Sequence, residues 1–338
     1  MNKRIKMAAG AGIAALAVVV AGGGYYHFHV STDTPDFAMK TIQQSVEEHD
    51  AKTFHRFVNL DSVLDSGYEG LVEGLTSSKS VTTPDAKEAI KGFTQMIRGS
   101  LMLSLKTAIE SYVATGDLKA EENLGVIELL EQTGLNDAEI RDVKNIQLND
   151  ANRDEAFADL IIFQPELDKE FPLHLVLSRG ADKQWQLVRV QNFQEYVEQI
   201  GKARRAHLDG YIAKAGEINS RHEATVREAE QKYGTILATG NLGQEKTRAE
   251  LKALINDVFK KDWEERKQEL SALHVPKDAA TLHDLYIKTC DLSISAAQDY
   301  AKWMDDNNSA TIKSAEDKIH QVQTLMTESA AIAKRMTS

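Results

Sequence analysis

The residues with chemical potential in this chain are its histidines, its one cysteine and a few paired acids. His27-Phe28-His29 would put two imidazoles on one side of an extended segment, a spacing that could bind a metal. They follow an apolar stretch, where interfacial histidines are the plainer reading. His49-Asp50 and His55 lie close together, but no nucleophilic Ser or Cys is spaced to serve them, so they read as a helix junction. His174 falls on the less apolar face of a strand, as a surface residue or the wall of a pocket. Glu47/Glu48, Glu121/Glu122 and Glu264/Glu265 are adjacent pairs, which diverge on a helix and form solvated faces. Asp61, Asp65 and Tyr68 are the nearest candidates for general acid–base work, which would need them to converge in a buried site. Cys290 neighbours a helical seam and reads as a buried structural thiol. No phosphate loop, HExxH or GxSxG motif occurs, and the Gly22–Gly24 run sits in an apolar stretch where it cradles nothing. No catalytic, cofactor-binding or metal-ligating residue is assigned, and no cofactor is implied.

Composition narrows the partners. The net charge of -11 is uneven: residues 31–193 carry 16 Lys/Arg against 28 Asp/Glu, and residues 194–338 carry 21 against 23. An acidic region without a basic, aromatic-laced stripe excludes nucleic acid as the natural ligand. A hydrophobic share of 42% leaves ample core for two domains. With Cys290 alone, no intrachain disulfide can form, and stability must come from packing.

Location is written in residues 1–30. Lys3, Arg4 and Lys6 precede an uncharged stretch that runs to Asp33 and is closed by Tyr25 and Tyr26. Met7 to Phe28 as a helix would be roughly 33 Å long, enough to span a bilayer with the cationic end inside. A signal anchor is the preferred reading, with the remainder of the chain outside the cytoplasm. A cleaved signal peptide is the alternative, because the apolar core Ile13–Ala21 is short and Val19-Val20-Ala21 is an acceptable cleavage site.

The elements that must position everything else follow a polar linker at Ser31–Pro35. Thr34-Pro35 and Thr83-Pro84 are helix starts, a capping residue followed by proline. The first helix should run to about His49. A second begins at Asp50 and breaks near Asp61, and a third continues to about Leu75. Gly67, Gly70 and Gly74 in the third would let another backbone come close. A long helix from Pro84 should stop at Thr115-Gly116-Asp117, and a short one is expected over Leu124–Gln132. The period then changes to strands at Val143–Asn149, Ala156–Gln164, Phe171–Arg179 and Gln184–Phe193. Helices followed by an antiparallel meander describe an α+β domain over residues 31–193.

Four segments in this region carry a resemblance: Thr34–Lys40, Ile42–Asp50, Thr53–Asp65 with its Leu60-Asp61-Ser62-Val63-Leu64, and Trp185–Phe193. They look like the bacterial membrane-anchored domains of unknown function built on a cystatin-like, or nuclear-transport-factor-2-like, α+β cone. The resemblance covers residues 35 to about 200. It implies a curved sheet with helices over its concave face, sometimes with a pocket between, and it implies no chemistry. Residues 84–133 would be a helical insertion.

From residue 194 to 338 the period is helical throughout. Apolar series run Val197 to Ile236, then Leu251, Leu254, Val258, Trp263, Leu270 and Leu273, then Leu282 to Trp303, then Ile312 to Met336. Short breaks between them predict an antiparallel helical bundle, with an intermolecular coiled coil as the alternative and self-association through these helices a corollary. The seams include Arg204, His222, Thr289 and Ser329, so they are not uniformly dry. The expected function is a noncatalytic, membrane-tethered, extracytoplasmic module that binds a ligand or a protein partner. An enzyme using the pocket of the cone and a structural envelope protein are the alternatives.

Overall fold

The computed structural model describes residues 33–77, 83–116, 133–135 and 138–337. The expected anchor over 1–30, with its His27 and His29, lies outside these residues, as do Glu121/Glu122 and the helix expected over Leu124–Gln132. Among the described residues no helix is long and apolar enough to cross a membrane. The described residues form a mixed α+β protein with one four-stranded antiparallel sheet and many helices. It divides into two compact units, one ending at Ala203 and the other beginning at Arg204.

The first unit opens with α1 (Pro35–Glu47), α2 (Ala51–Phe57), α3 (Leu60–Ser77) and α4 (Pro84–Thr115). Thr34 and Thr83 cap α1 and α4 by accepting hydrogen bonds from Phe37 N and Ala86 N, each at 3.2 Å. These bonds satisfy amide groups that the first turn leaves without partners. Gly116 ends α4 in the left-handed region at φ 73°, a conformation glycine adopts without a Cβ clash. The second helix breaks earlier than its pattern suggests, at Val58-Asn59. Val58 forms a parallel bridge with Leu187, and Asn59 N donates to Leu187 O at 2.9 Å. A strand distant in sequence thus captures this backbone and ends the helix.

The sheet is the meander β1 (Glu139–Leu148), β2 (Glu155–Gln164), β3 (Lys169–Arg179) and β4 (Trp185–Val190), in sequence order. Strand β1 begins four residues before its expected start. It is an edge strand whose largely exposed residues carry no apolar alternation, and two register shifts interrupt its pairing with β2. On β2 the alternation is regular: Ala156, Ala158, Leu160 and Ile162 are fully buried. They join Leu173, Leu175 and Leu177 of β3 in one apolar cluster beneath α1–α4. Helix α5 (Phe193–Thr239) closes this cluster with Phe193, Tyr196, Val197 and Ile200. Two of the three glycines of α3 explain the fit. A Cβ at Gly70 or Gly74 would come within 3.0 Å of Phe193 or Val197, while Gly67 has open space.

The second unit is helical throughout. The remainder of α5 is followed by α6 (Glu245–Leu254), a π turn (Ile255–Lys260), α7 (Lys261–Ser271), α8 (Ala280–Asp306) and α9 (Ser309–Thr337). Its apolar residues form two clusters rather than one. The first gathers Leu208, Tyr211, Ala215 and Ile218 of α5 with Leu270, Leu282 and Cys290. The second gathers Leu251, Ile255, Ala297, Ala301 and Met304.

Candidate functional site

Between those two clusters, in the order of each helix, stand polar residues. On α5, His222 follows Ile218. On α7, Asp262 and Arg266 precede Leu270. On α8, Ser293 separates Cys290 from Ala297. The exposures of His222, Asp262 and Arg266 are 6%, 5% and 2%. His222 Nδ1 lies 2.8 Å from Asp262 Oδ1, and Arg266 Nη2 donates to Asp262 Oδ2 at 3.3 Å. His222 Nε2 lies 3.4 Å from Glu269 Oε1, and Arg221 pairs with the other oxygen of Glu269. The Arg266 guanidinium also stacks 3.8 Å over the Trp263 ring. A buried charge is tolerated only when paired and hydrogen-bonded, and this chain of contacts supplies that pairing.

Arg266 opens onto a cleft of about 220 Å³ lined by four helices. Its buried floor is Arg266, Thr289, Cys290 and Ser329, and Trp263 and Tyr286 form half-buried walls. Glu223 and Met326 stand exposed at the rim. The hydroxyls of Thr289 and Ser329 donate to carbonyls of their own helices, those of Leu285 and Met326. Arg266 Nε is buried without a hydrogen-bond partner among the described residues. Desolvation lowers the Arg266 pKa, and the nearby Asp262, Cys290 and Glu223 do not make up the loss. Burial pushes the Cys290 thiol up to about 11, only partly opposed by Arg266, so it is protonated at neutral pH and is a poor nucleophile. Burial likewise raises the phenol of Tyr286.

The sequence pattern marked His222, Thr289 and Ser329 as polar seam positions, and the fold gathers these three at or beside the cleft; Arg204 stays half-buried. Asp262 and Arg266 escaped the sequence reading, which ran the inward face through Trp263. The buried face runs Leu251, Ile255, Asp262, Arg266 and Leu270, so it continues at ordinary helical spacing through the two charged residues. The step of five from Val258 to Trp263 left helical spacing, whereas Ile255, Asp262, Arg266 and Leu270 keep to it.

The other candidates serve structure. Asp50 is the N-cap of α2, accepting from Thr53 N at 3.0 Å, and bonds from Thr53 hold its carboxyl below the usual range. His49 sits at φ 58° with its ring against Gly116, and His55 reaches Glu110 at 3.8 Å. Asp61 pairs with Lys106 at 2.6 Å and Asp65 with Arg98 at 3.1 Å, while Arg98 lies 5.2 Å over Tyr68. These three clasp α3 to α4 instead of converging in a pocket. Glu264 and Glu265 pair with Lys260 and Lys261 one turn back, at 3.4 and 3.8 Å. His174 Nδ1 lies 2.6 Å from Asp159 Oδ1, whose other oxygen accepts from Asn145 Nδ2 at 2.6 Å, a part-exposed set on the face of the sheet away from the core. Among the described residues no group of three or more His, Cys, Asp or Glu is placed to hold a metal ion.

Fold and site together define the class: an α+β protein with a separate helical unit whose polar layer opens into a cleft. Compared with known proteins, the chain matches no family model, no curated protein and no solved structure.

Proposed function

We propose that this chain is a noncatalytic binding module, tethered to a membrane by residues 1–30 and working outside the cytoplasm, with a cystatin-like cone and an antiparallel helical bundle. The observation that carries the binding reading is the cleft of the helical unit. Its floor has a preformed hydrogen-bond donor in Arg266, its walls are aromatic, and its thiol is held protonated. Concave sites lined by apolar side chains with a few placed polar groups are where small ligands bind. The noncatalytic reading is supported by the fate of the other ionisable candidates, which are spent on caps and helix clasps. The tether rests on the cationic, uncharged and aromatic order of residues 3–26.

Two measurements test this. Membrane fractionation with N-terminal sequencing of the mature protein should find the segment retained and the protein in the membrane pellet. A mature start at Gly22 with soluble protein would sink the tether. Thermal-shift screening against a small-molecule panel should give saturable stabilisation, with the ligand recovered unchanged. Recovery of a chemically altered ligand would overturn the noncatalytic reading.

A further inference from the structure

We propose that the cleft of the helical unit takes a small carboxylate carried on a single apolar or aromatic ring, with the carboxylate on Arg266 and the ring between Trp263 and Tyr286. The inference rests on the binding-module reading and gives it a ligand class.

Three features point to the carboxylate. Arg266 is 2% exposed, and its Nε finds no partner among the described residues. Its contact to Asp262 is 3.3 Å, long for a charge-assisted bond. Burial lowers its pKa in spite of the acids around it, so the cation is undercompensated where it stands. A planar anion offering two oxygens is the acceptor that a guanidinium fork binds best. The negative neighbours do not close the site to an anion. Asp262 also engages His222, Glu269 is held by Arg221 and His222, and Glu223 is solvated at the rim. Cys290 contributes no charge, and the Thr289 and Ser329 protons are committed to backbone carbonyls. Arg266 is therefore the cation that faces a ligand on the floor.

Size and lining select the ring. A cavity of about 150 Å³ is known to accept benzene. The 220 Å³ here holds one ring and a carboxyl, but not an extended chain. Trp263, Tyr286 and Met326 offer the apolar surface. A dianionic phosphate would be harder to desolvate between such walls with one cation beneath it.

The test uses the full-length protein, with Trp263 emission and calorimetry as readouts and benzoate, benzyl alcohol, benzylamine and phenyl phosphate as probes. Benzoate should bind saturably and at least about tenfold tighter than benzyl alcohol, the scale of one charge-assisted hydrogen bond. Arg266→Gln should erase that preference. Because this change also leaves Asp262 short of a partner, a second variant, Ala330→Trp, fills the exposed rim and leaves the ion network untouched. It should keep the fold by circular dichroism and lose benzoate at least about tenfold. Equal or better binding of benzyl alcohol, benzylamine or phenyl phosphate would overturn the carboxylate assignment while leaving a binding module in place. Failure of every probe to bind, or indifference of Ala330→Trp, would also overturn it. Benzoate bound and chemically converted would instead sustain the assignment and remove the noncatalytic reading.

Discussion

Among the described residues of the first unit a single apolar cluster runs from Ala38 of α1 to Ile200 of α5, and the inward-facing polar groups are neutral. Gln164 is representative: its Nε2 donates to Gly134 O at 2.5 Å and to Tyr196 OH at 2.7 Å. In the second unit the apolar residues split into two clusters around His222, Asp262 and Arg266. One interior is organised by shape, the other partly by charge. A buried ion pair rarely adds stability over a well-packed apolar layer, because both ions must leave water. On the proposed reading, a layer of this kind beside an open cleft serves recognition rather than folding.

The comparison is broken most severely by unpairing the charges. Asp262→Ala strands Arg266 and His222 and should cost about 3–5 kcal/mol in the second unit. Urea unfolding followed through Trp263 and Trp303, in a Trp185→Phe background, reads this unit. Replacing the three ionisable members of the layer, His222→Leu with Asp262→Leu and Arg266→Met, should be neutral or stabilising by about 1–4 kcal/mol. If the triple variant is as unstable as Asp262→Ala, the charges hold the fold together and the contrast between the units collapses. In the first unit Leu175→Ala should cost about 2–5 kcal/mol, because a fully buried leucine leaves a cavity in a close-packed core. A loss under 1 kcal/mol in the urea midpoint would show that this core is looser than its burial implies.

Smaller effects sharpen the contrast. Gly116→Ala places a Cβ 2.7 Å from the His49 ring at φ 73°. The ring can swing aside, but the left-handed strain of about 1–2 kcal/mol stays, and thermal melts should show it. The smallest effect is a pH dependence between α8 and α9. Burial raises the carboxyl of Asp299, yet hydrogen bonds from Lys318 and Ser314 outweigh it and leave the pKa lowered. A carboxylate depressed in the folded state stabilises fully above its unfolded pKa of about 3.9 and loses that contribution as pH falls below it. Asp299→Asn should lower the melting temperature slightly at neutral pH, where the parent carboxylate contributes, and flatten its fall in that acid range, so that the two proteins converge there. An unchanged acid slope would remove Asp299 from the account.

Local signals were legible where the chain itself supplies the partner. Thr34-Pro35, Thr83-Pro84 and Gly116 marked helix ends because a side-chain oxygen, a proline ring or a missing Cβ acts within a few residues. Strands β2 and β3 were legible because their alternation survives burial on one face. The break at Val58-Asn59, the early start of β1 and the π turn were not, since each depends on a neighbour remote in sequence or on a one-residue change of period. The candidate site was half legible: His222, Thr289 and Ser329 stood out as polar residues on apolar seams, while Asp262 and Arg266 lay hidden in a stretch rich in charge.

By itself, the order of residues determined the succession of helices and strands, the acid-rich first half and the change to helix after Phe193, because periodicity and capping are local properties. Only the tertiary structure decided which polar residues are buried. Burial of Arg266 depends on α5, α8 and α9 packing around α7, and contacts between helices remote in sequence are not written in a run of charged residues.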